Sequence, residues 1–351
     1  MKTALADKSA GLGAALAEYS GAESAANFGD VRAEFDALLH GCGVFDLGWR
    51  GKLIATGVDR TRWFNGMVTN NIKDLNLNYG NYNFVLSAQG RVQGDLFIYN
   101  RGDYLLLDTD RSQVEHLLKL LNHFIIMDDV ELKDASEELS SIGLRGPKAA
   151  EVLQKAGIAT TAGLMEVKDA TWSGIGVSVV RKTDSPTPAY EIWLAPSHVA
   201  SLWDALAASG AKPVGTESLE KFRVLAGVPK YGKDIREKDL PQETEQKQAL
   251  NFTKGCYIGQ EIVERIRSRG AVHRMFTGFE LEADAAPGSE LILPADGKKA
   301  GELTSVVKVP VSSGERILAL GYFRREAGGP GLKLRLGEQN VTVTQLPFLT
   351  D

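Results

Sequence analysis

The helical periodicity of this chain stops near residue 271, and this change of pattern constrains the fold more than any other feature. Six short apolar runs follow it, at 276–281, 290–293, 305–309, 317–323, 332–336 and 341–346. Turns that contain proline or glycine separate these runs. Short strands at such spacing are typical of a small β-barrel or β-sandwich. The sequence therefore predicts an all-β domain over 271–351, which we expect to close into a barrel.

Before this point, strands alternate with helices. Apolar runs at 82–86 and 92–99 flank a turn at 87–90 and predict a hairpin. Two later stretches share one pattern, in which a strand that begins at Tyr104 or Tyr190 leads into an amphipathic helix. Aligning the two tyrosines brings the helices into step within one residue. The pattern suggests a pseudo-symmetric pair of α+β halves, although a chance match of common supersecondary pieces explains it equally well.

The start of the first of these helices carries a capping signal. Asp110 and Gln113 have the spacing of a capping box, in which the two side chains bond to backbone N–H groups of the first turn. The sequence therefore predicts that both side chains are used locally.

The length of 351 residues exceeds the roughly 100–150 residues of a usual domain, so we expect more than one. Residues 1–30 are rich in alanine, glycine and serine, with loose helical spacing, and predict a peripheral N-terminal arm. The first α+β half is expected over 31–135 and the second over 136–270.

Charge and hydropathy exclude several classes of protein. The chain has 40 basic and 45 acidic residues, a net charge of −5, which argues against a nucleic-acid binder held by bulk positive charge. No stretch approaches the roughly 20 apolar residues of a membrane span, and residues 1–10 lack the core of a signal peptide. We therefore expect a cytoplasmic protein with reduced thiols and no membrane partner.

The cysteines and histidines are too few and too scattered for a metal centre. Cys42 and Cys256 cannot form a disulfide framework or a four-cysteine cluster site, and the five histidines are isolated in sequence. We predict no metal site. Nucleotide P-loop and zinc-protease motifs are absent as well.

The segment 254–261 reads Lys-Gly-Cys-Tyr-Ile-Gly-Gln-Glu and is the most distinctive part of the chain. A cysteine between two glycines is expected on a tight turn whose backbone approaches another group closely. The ammonium of Lys254 favours the thiolate of Cys256, and Glu261 opposes it. A small buried cysteine in a glycine-rich loop is the equally weighted alternative.

This octapeptide resembles the K-G-C-x-x-G-Q-E signature of the folate-binding YgfZ family, bacterial proteins implicated in assembling or repairing iron–sulfur enzymes. Leu-Pro-Gln-Glu at 240–243 and Arg269-Gly270 also resemble that family. Further blocks resemble the wider glycine-cleavage T-protein (aminomethyltransferase) superfamily, in the expected order: 44–47, 57–59, 69–71, 94–96 and 225–232. The resemblance implies an α+β fold, with a pseudo-symmetric pair of ferredoxin-like α/β halves forming a central tetrahydrofolate pocket, plus a C-terminal β-barrel.

The resemblance also implies roles for individual residues. Asp95 matches the T-protein carboxylate that faces the reacting end of tetrahydrofolate, where it can stabilise a developing cation. Tyr82 matches an aromatic residue of the folate pocket. Glu191 matches the acid that pairs with the pterin edge, and Arg223 matches an arginine near the benzoyl-glutamate side.

The resemblance further implies that the motif residues Lys254, Gly255, Cys256, Tyr257, Gly259, Gln260 and Glu261 form a functional segment, with Cys256 and Asp95 as the catalytic candidates.

Two departures from the T-protein pattern argue against aminomethyl transfer. Gly94 replaces the first acid of the superfamily's acidic pair, and 183–188 replaces a Gly-Tyr-Thr-Gly-Glu stretch.

A separate feature is the alternation of Arg265, Arg267 and Arg269, which in an extended segment would form a basic stripe. A solvated strand face explains this stripe more simply than a site for a glutamate tail or an acidic partner.

Three functions follow from these observations. The main hypothesis is a tetrahydrofolate-binding accessory protein for the assembly or repair of iron–sulfur enzymes, in which Cys256 supplies a thiol. Its partners would be iron–sulfur client or assembly proteins. The alternative is a folate-dependent aminomethyltransferase or related one-carbon transferase. The third is a non-catalytic scaffold that binds folate as a sensor. In each case the cofactor is tetrahydrofolate or a one-carbon derivative, and we expect a monomer.

Overall fold

The computed structural model describes residues 1–161, 163–183, 186–270, 272–312 and 314–348. The helices are α1 (Ala6–Gly11), α2 (Val31–His40), α3 (Arg60–Met67), α4 (Arg111–His123), α5 (Ala149–Lys155), α6 (Pro196–Ala208), α7 (Thr216–Leu225) and α8 (Gln260–Arg269). Short 3₁₀ turns occur at Pro241–Thr244, Lys247–Ala249 and Arg325–Ala327.

The strands of the first two-thirds of the chain are β1 (Ala15–Tyr19), β2 (Ala22–Asn27), β3 (Gly43–Asp46), β4 (Arg50–Thr56), β5 (Gly80–Leu86), β6 (Val92–Asn100), β7 (Leu105–Asp110), β8 (Glu131–Asp134), β9 (Ser140–Arg145), β10 (Val167–Trp172), β11 (Ile175–Thr183), β12 (Ala189–Leu194) and β13 (Lys212–Pro213). The strands of the last third are β14 (Arg274–Leu281), β15 (Glu290–Ile292), β16 (Lys299–Val311), β17 (Gly314–Arg324), β18 (Lys333–Leu336) and β19 (Gln339–Thr344).

The chain separates into two compact units. The first comprises Met1–Asn83, Asp95–Leu219 and Lys254–Cys256. The second comprises Phe84–Gly94, Glu220–Thr253 and the chain from Tyr257 to the end of its described part. The four sequence segments proposed above stay a prediction, and the boundary at Ala271 lies outside the described residues.

Two sheets organise the first unit. A six-stranded sheet has the order β10-β11-β12-β9-β3-β13, and a five-stranded sheet has the order β5-β6-β7-β4-β8. A cluster of buried side chains joins the sheets, with Tyr99 and Leu106 from one and Val167, Val180 and Trp193 from the other. The Tyr99 and Trp193 rings meet edge to face at 4.8 Å. Residues on these inner faces are therefore brought together from distant parts of the sequence.

The predicted internal repeat is present in this fold. The strands β7 and β12 have six residues each, and the helices that follow them, α4 and α6, have 13 residues each. Their buried stripes match the predicted apolar spacings, with Val114, Leu117 and Leu121 in α4. The predicted hairpin is also present as β5 and β6, and Gly90 in its turn has the expected positive φ, 72°.

The barrel of the second unit is closed, in the order β14-β17-β16-β15-β18-β19. Each predicted apolar run coincides with one strand. Alternate side chains such as Phe279, Leu303 and Phe323 fill its interior, as the two-residue period of a strand requires. The all-β prediction for this part of the chain is confirmed.

Two local predictions are wrong. Residues 15–27 form the hairpin β1–β2, where the spacing of Leu12, Leu16 and Tyr19 suggested a helix. The arginine-rich segment is part of the helix α8, which has an apolar face on which Val263 is fully buried. Residues two apart point in different directions on a helix, so Arg265 and Arg267 do not form a stripe. The Arg269 side chain lies outside the described atoms.

Candidate functional site

Asp95 lies on β6 in the first unit, and both of its carboxylate oxygens are hydrogen bonded. Its Oδ2 accepts a hydrogen bond from the Tyr82 hydroxyl at 2.6 Å, and its Oδ1 accepts one from Gln113 Nε2 at 2.8 Å. Gln113 Oε1 also accepts the backbone N–H of Asp95 at 3.1 Å. The carboxyl group is half-buried. It is thus held in a fixed orientation from two sides.

Burial governs the protonation of this pair. It raises the pKa of Asp95, and the nearby Asp110 carboxylate adds to the increase, while the hydrogen bonds from Tyr82 and Gln113 oppose it. Burial and the charge of Asp95 also raise the pKa of Tyr82. The Tyr82 hydroxyl therefore keeps its proton, and the Asp95 carboxyl can accept one more readily than a solvated aspartate.

Gln113 is a site residue that the sequence reasoning missed. The capping-box prediction is wrong, because the Asp110 side chain makes no cap hydrogen bond. Asp110 instead pairs with Arg50 at 2.5 Å. Gln113 occupies the third position of α4, from which its amide reaches the neighbouring strand. A buried glutamine on an apolar helix face is the signal that could have identified it.

A row of aromatic side chains and one cation continues from Asp95. The Tyr82 and Phe97 rings lie 5.0 Å apart, centroid to centroid. Lys182 Nζ lies 3.6 Å from the centroid of Phe97 and donates a hydrogen bond to the Tyr99 hydroxyl at 2.7 Å. Because side chains alternate along a strand, Asp95, Phe97 and Tyr99 share one face of β6.

Glu191 on β12 lies at the other end of this row. Its Oε2 accepts a hydrogen bond from Trp193 Nε1 at 3.2 Å, and its Oε1 lies 3.6 Å from Lys182 Nζ. Burial lowers the pKa of Arg145 to about 10, although the Glu191 charge opposes this change. The structure thus brings the predicted residues Tyr82, Asp95 and Glu191 onto the inner faces of one unit.

A buried ion cluster lies beside the row, because Asp108 on β7 pairs in register with Phe97 on β6. Asp108 Oδ1 pairs with Lys52 Nζ at 2.8 Å and with Arg50 Nε at 3.0 Å, and its Oδ2 lies 3.4 Å from Lys182 Nζ. Burial alone would raise the pKa of Asp108, but the charges of these three cations lower it well below its usual range. Asp108 is therefore a permanent anion that fixes the positions of its cations.

Arg223 is not in this cluster, since it belongs to the second unit. Its guanidinium donates to Glu220 at 2.9 and 3.0 Å, to Asp234 at 2.6 Å, to the Val228 carbonyl at 2.8 Å and to Ser305 Oγ at 3.0 Å. These contacts use all five N–H donors of an arginine. A folate carboxylate would have to displace one of them, and the folate-binding role of Arg223 stays a prediction.

The motif residues Lys254, Gly255 and Cys256 belong to the first unit. Cys256 is exposed, whereas Cys42 is buried and burial raises its pKa to about 12. Lys254 Nζ donates to the carbonyl oxygens of Val68 and Asn70 at 2.7 and 2.6 Å. Its amine therefore anchors the motif to the loop after α3, where the sequence suggested a role in activating the thiol. Burial lowers the pKa of Lys254 to about 7.

The rest of the motif belongs to the second unit and begins α8. Gly259 has a φ of 81° directly before the helix, and a Cβ there would lie 2.6 Å from the Ser87 carbonyl oxygen. Gln260 Oε1 accepts the backbone N–H of Tyr257 at 3.2 Å. Tyr257 is buried and Glu261 is exposed. The second glycine of the motif is thus required by the fold.

Two negative findings concern the described part of the chain. No group of three or more histidine, cysteine, aspartate or glutamate side chains there is arranged to hold a metal ion. Its helices are all too short or too polar to cross a membrane.

Comparisons with known proteins identify the family and the fold. The model of the GCVT N-terminal domain matches residues 5–254. An aminomethyltransferase from Rubrobacter xylanophilus is 28% identical to this chain, over 99% of the chain and 94% of that enzyme. One from Herpetosiphon aurantiacus is 27% identical, over 96% of the chain and 95% of the enzyme.

Among solved structures, the glycine cleavage system aminomethyltransferase T from Bartonella henselae superposes with a TM-score of 0.90. The alignment covers 99% of this chain and 98% of that one at 18% sequence identity, so it establishes the shared fold. The family model spans most of the chain, across both sheets that carry Asp95 and Glu191. The chain therefore belongs to the GCVT family, the superfamily of the glycine-cleavage T-protein.

Proposed function

We propose that this protein binds tetrahydrofolate, or a one-carbon derivative of it, along the row from Asp95 to Glu191. The observation that carries the proposal is the half-buried Asp95 carboxyl, held by Tyr82 and Gln113 and followed by aromatic rings and a second acid. Folate has the complementary shape, with a flat pteridine ring, a donor-rich edge and a reacting nitrogen. Membership of the GCVT family supports this choice of ligand.

The chemistry expected at each end of the row differs. Asp95 can accept a hydrogen bond from an N–H near the reacting nitrogen of folate and, when ionised, stabilise positive charge that develops there. Glu191 can accept two N–H donors of the pteridine edge. The Tyr82 and Phe97 rings provide the apolar surface between them. These residues would bind and orient folate whatever reaction follows.

Binding is tested by calorimetric titration with tetrahydrofolate. We expect Asp95→Asn to weaken binding by roughly 10-fold or more, because a buried charge-assisted hydrogen bond contributes about 1.5–3 kcal/mol. Tyr82→Phe should weaken it less, because the ring remains. Asp103→Asn, in the exposed turn after β6, is the matched control. Unchanged affinity in Asp95→Asn would remove Asp95 from the folate site.

We propose one-carbon transfer of the aminomethyltransferase type as the first possible use of the bound folate, because the relatives support it. Both relatives described above carry that name and align over nearly the whole chain. Purified protein given a lipoyl carrier loaded with an aminomethyl group, together with tetrahydrofolate, should then release ammonia in step with methylenetetrahydrofolate. Folate binding with no ammonia release would reject this use and leave the binding proposal intact.

A second use, in the maturation or repair of iron–sulfur enzymes, is favoured by one observation. The YgfZ-like motif presents Cys256 to solvent, although the chain has only one other cysteine and that one is buried. An accessible thiol can act on a client protein. A strain that carries Cys256→Ala should lose activity of its iron–sulfur enzymes while the purified variant keeps its folate affinity. Ser268→Ala, an exposed change on α8, is the control.

These two assays separate the three hypotheses for function. Ammonia release supports the transferase, whereas loss of iron–sulfur enzyme activity in the Cys256→Ala strain supports the accessory role. Folate binding with neither result would leave the non-catalytic sensor.

A further inference from the structure

Lys182 lies at an irregularity of the six-stranded sheet. The strands β11 and β12 pair in register as far as Arg181 and Tyr190, and the next pair is Thr183 with Ala189. Lys182 is therefore the extra residue of a β-bulge. Bulges disrupt pairing locally and are common beside active sites, where they redirect a side chain. Here the side chain extends between the two sheets of the first unit, and only 11% of it is exposed.

The ammonium of Lys182 makes one short hydrogen bond and several longer contacts. It donates to the Tyr99 hydroxyl at 2.7 Å and lies 3.4 Å from Asp108 Oδ2. An ammonium has three N–H donors, and the described residues offer no further acceptor within hydrogen-bond distance for the third. Glu191 Oε1 is beyond this distance, at 3.6 Å. Nζ also lies 3.6 Å from the centroid of the Phe97 ring, so the Tyr99 hydrogen bond is its one short contact with the described residues, and a ligand acceptor beside Glu191 would replace one of the longer contacts.

The charge of Asp108 does not explain why a lysine is placed there. Lys52 and Arg50 already pair with Asp108 at 2.8 and 3.0 Å, both closer than Lys182. Placing a third cation in this interior costs desolvation that its long contact recovers poorly. A ligand acceptor beside Glu191 would give the ammonium a closer partner.

The edge of a pteridine ring matches this arrangement of charges. A 4-oxopteridine presents the 2-amino group, N3–H and the 4-oxo oxygen in order, as two donors and then one acceptor. We propose that Lys182 donates to the 4-oxo oxygen while Glu191 accepts from the 2-amino group and N3–H. Lys182 is then a specificity-determining residue, selecting 4-oxo over 4-aminopteridines. This inference rests on the proposed folate site and deepens it.

Selectivity follows because a 4-amino group replaces a hydrogen-bond acceptor of the ligand with a donor. A 4-aminopteridine presents an N–H donor where the 4-oxo oxygen would be, so it faces the ammonium with two donors opposed. Its N3 also carries no proton, so Glu191 loses a donor in every variant alike, and the change of preference on substitution isolates the part due to Lys182. Sites that hydrogen bond a particular polar group reject analogues that leave the buried partner unpaired. The wild-type protein should therefore prefer folic acid to aminopterin, which differs by having an amino group at C4.

The experiment measures the dissociation constants of folic acid and aminopterin for the wild type, Lys182→Met, Lys182→Arg and Lys168→Met. Lys168 is an exposed lysine of the same sheet and serves as the control. We expect Lys182→Met to reduce the preference for folic acid by roughly 10-fold or more, the effect of one charged hydrogen bond. Lys182→Arg should retain most of the preference, and Lys168→Met all of it.

Several results would overturn the inference. If Lys182→Met weakens both ligands equally, or neither, the lysine only positions its neighbours and the folate site stands. If the wild type binds tetrahydrofolate but neither of these ligands, the inference fails alone, and if it does not bind tetrahydrofolate either, the proposed folate site fails with it. Circular dichroism and the unfolding midpoint of each variant identify a folding defect, and Lys182→Gln, which keeps the polarity at this position, then replaces Lys182→Met.

Discussion

Each unit of the protein is built around a buried aspartate, and the two aspartates differ in what their partners can still bind. Asp108 of the first unit contacts three cations, of which Lys52 is fully buried and Lys182 makes mostly long contacts, including one of 3.6 Å with Glu191. Asp234 of the second unit accepts from Arg223, Thr304, Ser305 and the backbone N–H of Lys230. The arginine of this second network has every donor in use.

This difference separates a binding site from a structural network. A buried ion pair by itself does not indicate function, because both units contain one. The clusters around Asp108 and Asp234 differ because Lys182 of the first makes mostly long contacts and lies beside the second acid Glu191, whereas Arg223 of the second has all five N–H donors bonded. The count of donors and acceptors left over, rather than the residue types, therefore decides which cluster can take a ligand.

The largest effect should come from breaking the first network at its centre. Asp108→Ala leaves Lys52 buried without its carboxylate and leaves Arg50 with only Asp110, and removal of one partner from a buried ion pair costs about 3–5 kcal/mol. We expect the free energy of unfolding in urea to fall by that amount. Asp134→Ala, at an exposed position on β8, should change it little. A loss below about 1 kcal/mol for Asp108→Ala would contradict the cluster's structural role.

Disrupting the network around Asp234 should lower the stability of the protein without changing its affinity for folate. Arg223→Met leaves Asp234 with its hydroxyl and backbone donors but no cation, and we expect a loss of about 2–3 kcal/mol in the free energy of unfolding. Folate affinity of the folded variant should stay within about 2-fold. A 10-fold or greater loss of affinity would instead support the sequence prediction that Arg223 binds folate.

The two glycines of the motif offer a smaller, matched comparison between the units. Gly259→Ala forces a side chain into a left-handed backbone conformation and against the Ser87 carbonyl, so we expect a loss of about 2 kcal/mol. A Cβ at Gly255 would meet only Asn65 Nδ2, at 4.0 Å. Gly255→Ala should therefore change stability by less than about 0.5 kcal/mol. Thermal unfolding of both variants measures the difference, and equal losses would refute it.

The smallest effect should be the contribution of Lys254 to the pH dependence of the free energy of unfolding. Burial lowers its pKa from near 10.5 to about 7, so the unfolded chain binds more protons than the folded one between these values. The free energy of unfolding should therefore rise with pH above 7, relative to Lys254→Met. We expect a gain of about 1 kcal/mol between pH 7 and 9, after allowance for solvent screening. Identical pH profiles for the two proteins would show that the amine titrates normally.

The sequence predicted those features that depend on local periodicity. These features are the barrel strands, the β5–β6 hairpin and the paired strand–helix units. They can be predicted because alternation and helical spacing indicate which face of an element is buried. The residues Asp95, Tyr82 and Glu191 came from the resemblance to a family, and the structure brings them to one unit. The capping box, which assigned Asp110 and Gln113 to their nearest sequence neighbours, is wrong, and the effect of Lys254 on the Cys256 thiol stays a prediction.

Two cases show why. Asp110 and Gln113 have capping-box spacing, but Asp110 pairs with Arg50 and Gln113 with Asp95. Lys254 stands two residues from Cys256, but its amine binds the carbonyls of Val68 and Asn70. In each case a partner distant in sequence offered a buried polar group that needed a hydrogen bond. Such groups are costly to leave unpaired, so they override local preference.

By itself, the sequence determined the barrel strands and the position of the motif around Cys256, and its resemblance to a family supplied the fold class. The exposure of Cys256 was decided by the tertiary structure. Only the tertiary structure decided which polar groups are satisfied and which have capacity left, as the contrast between Arg223 and Lys182 shows. The physical reason is that periodicity reports burial along one element, whereas hydrogen-bond satisfaction depends on groups that arrive from other elements.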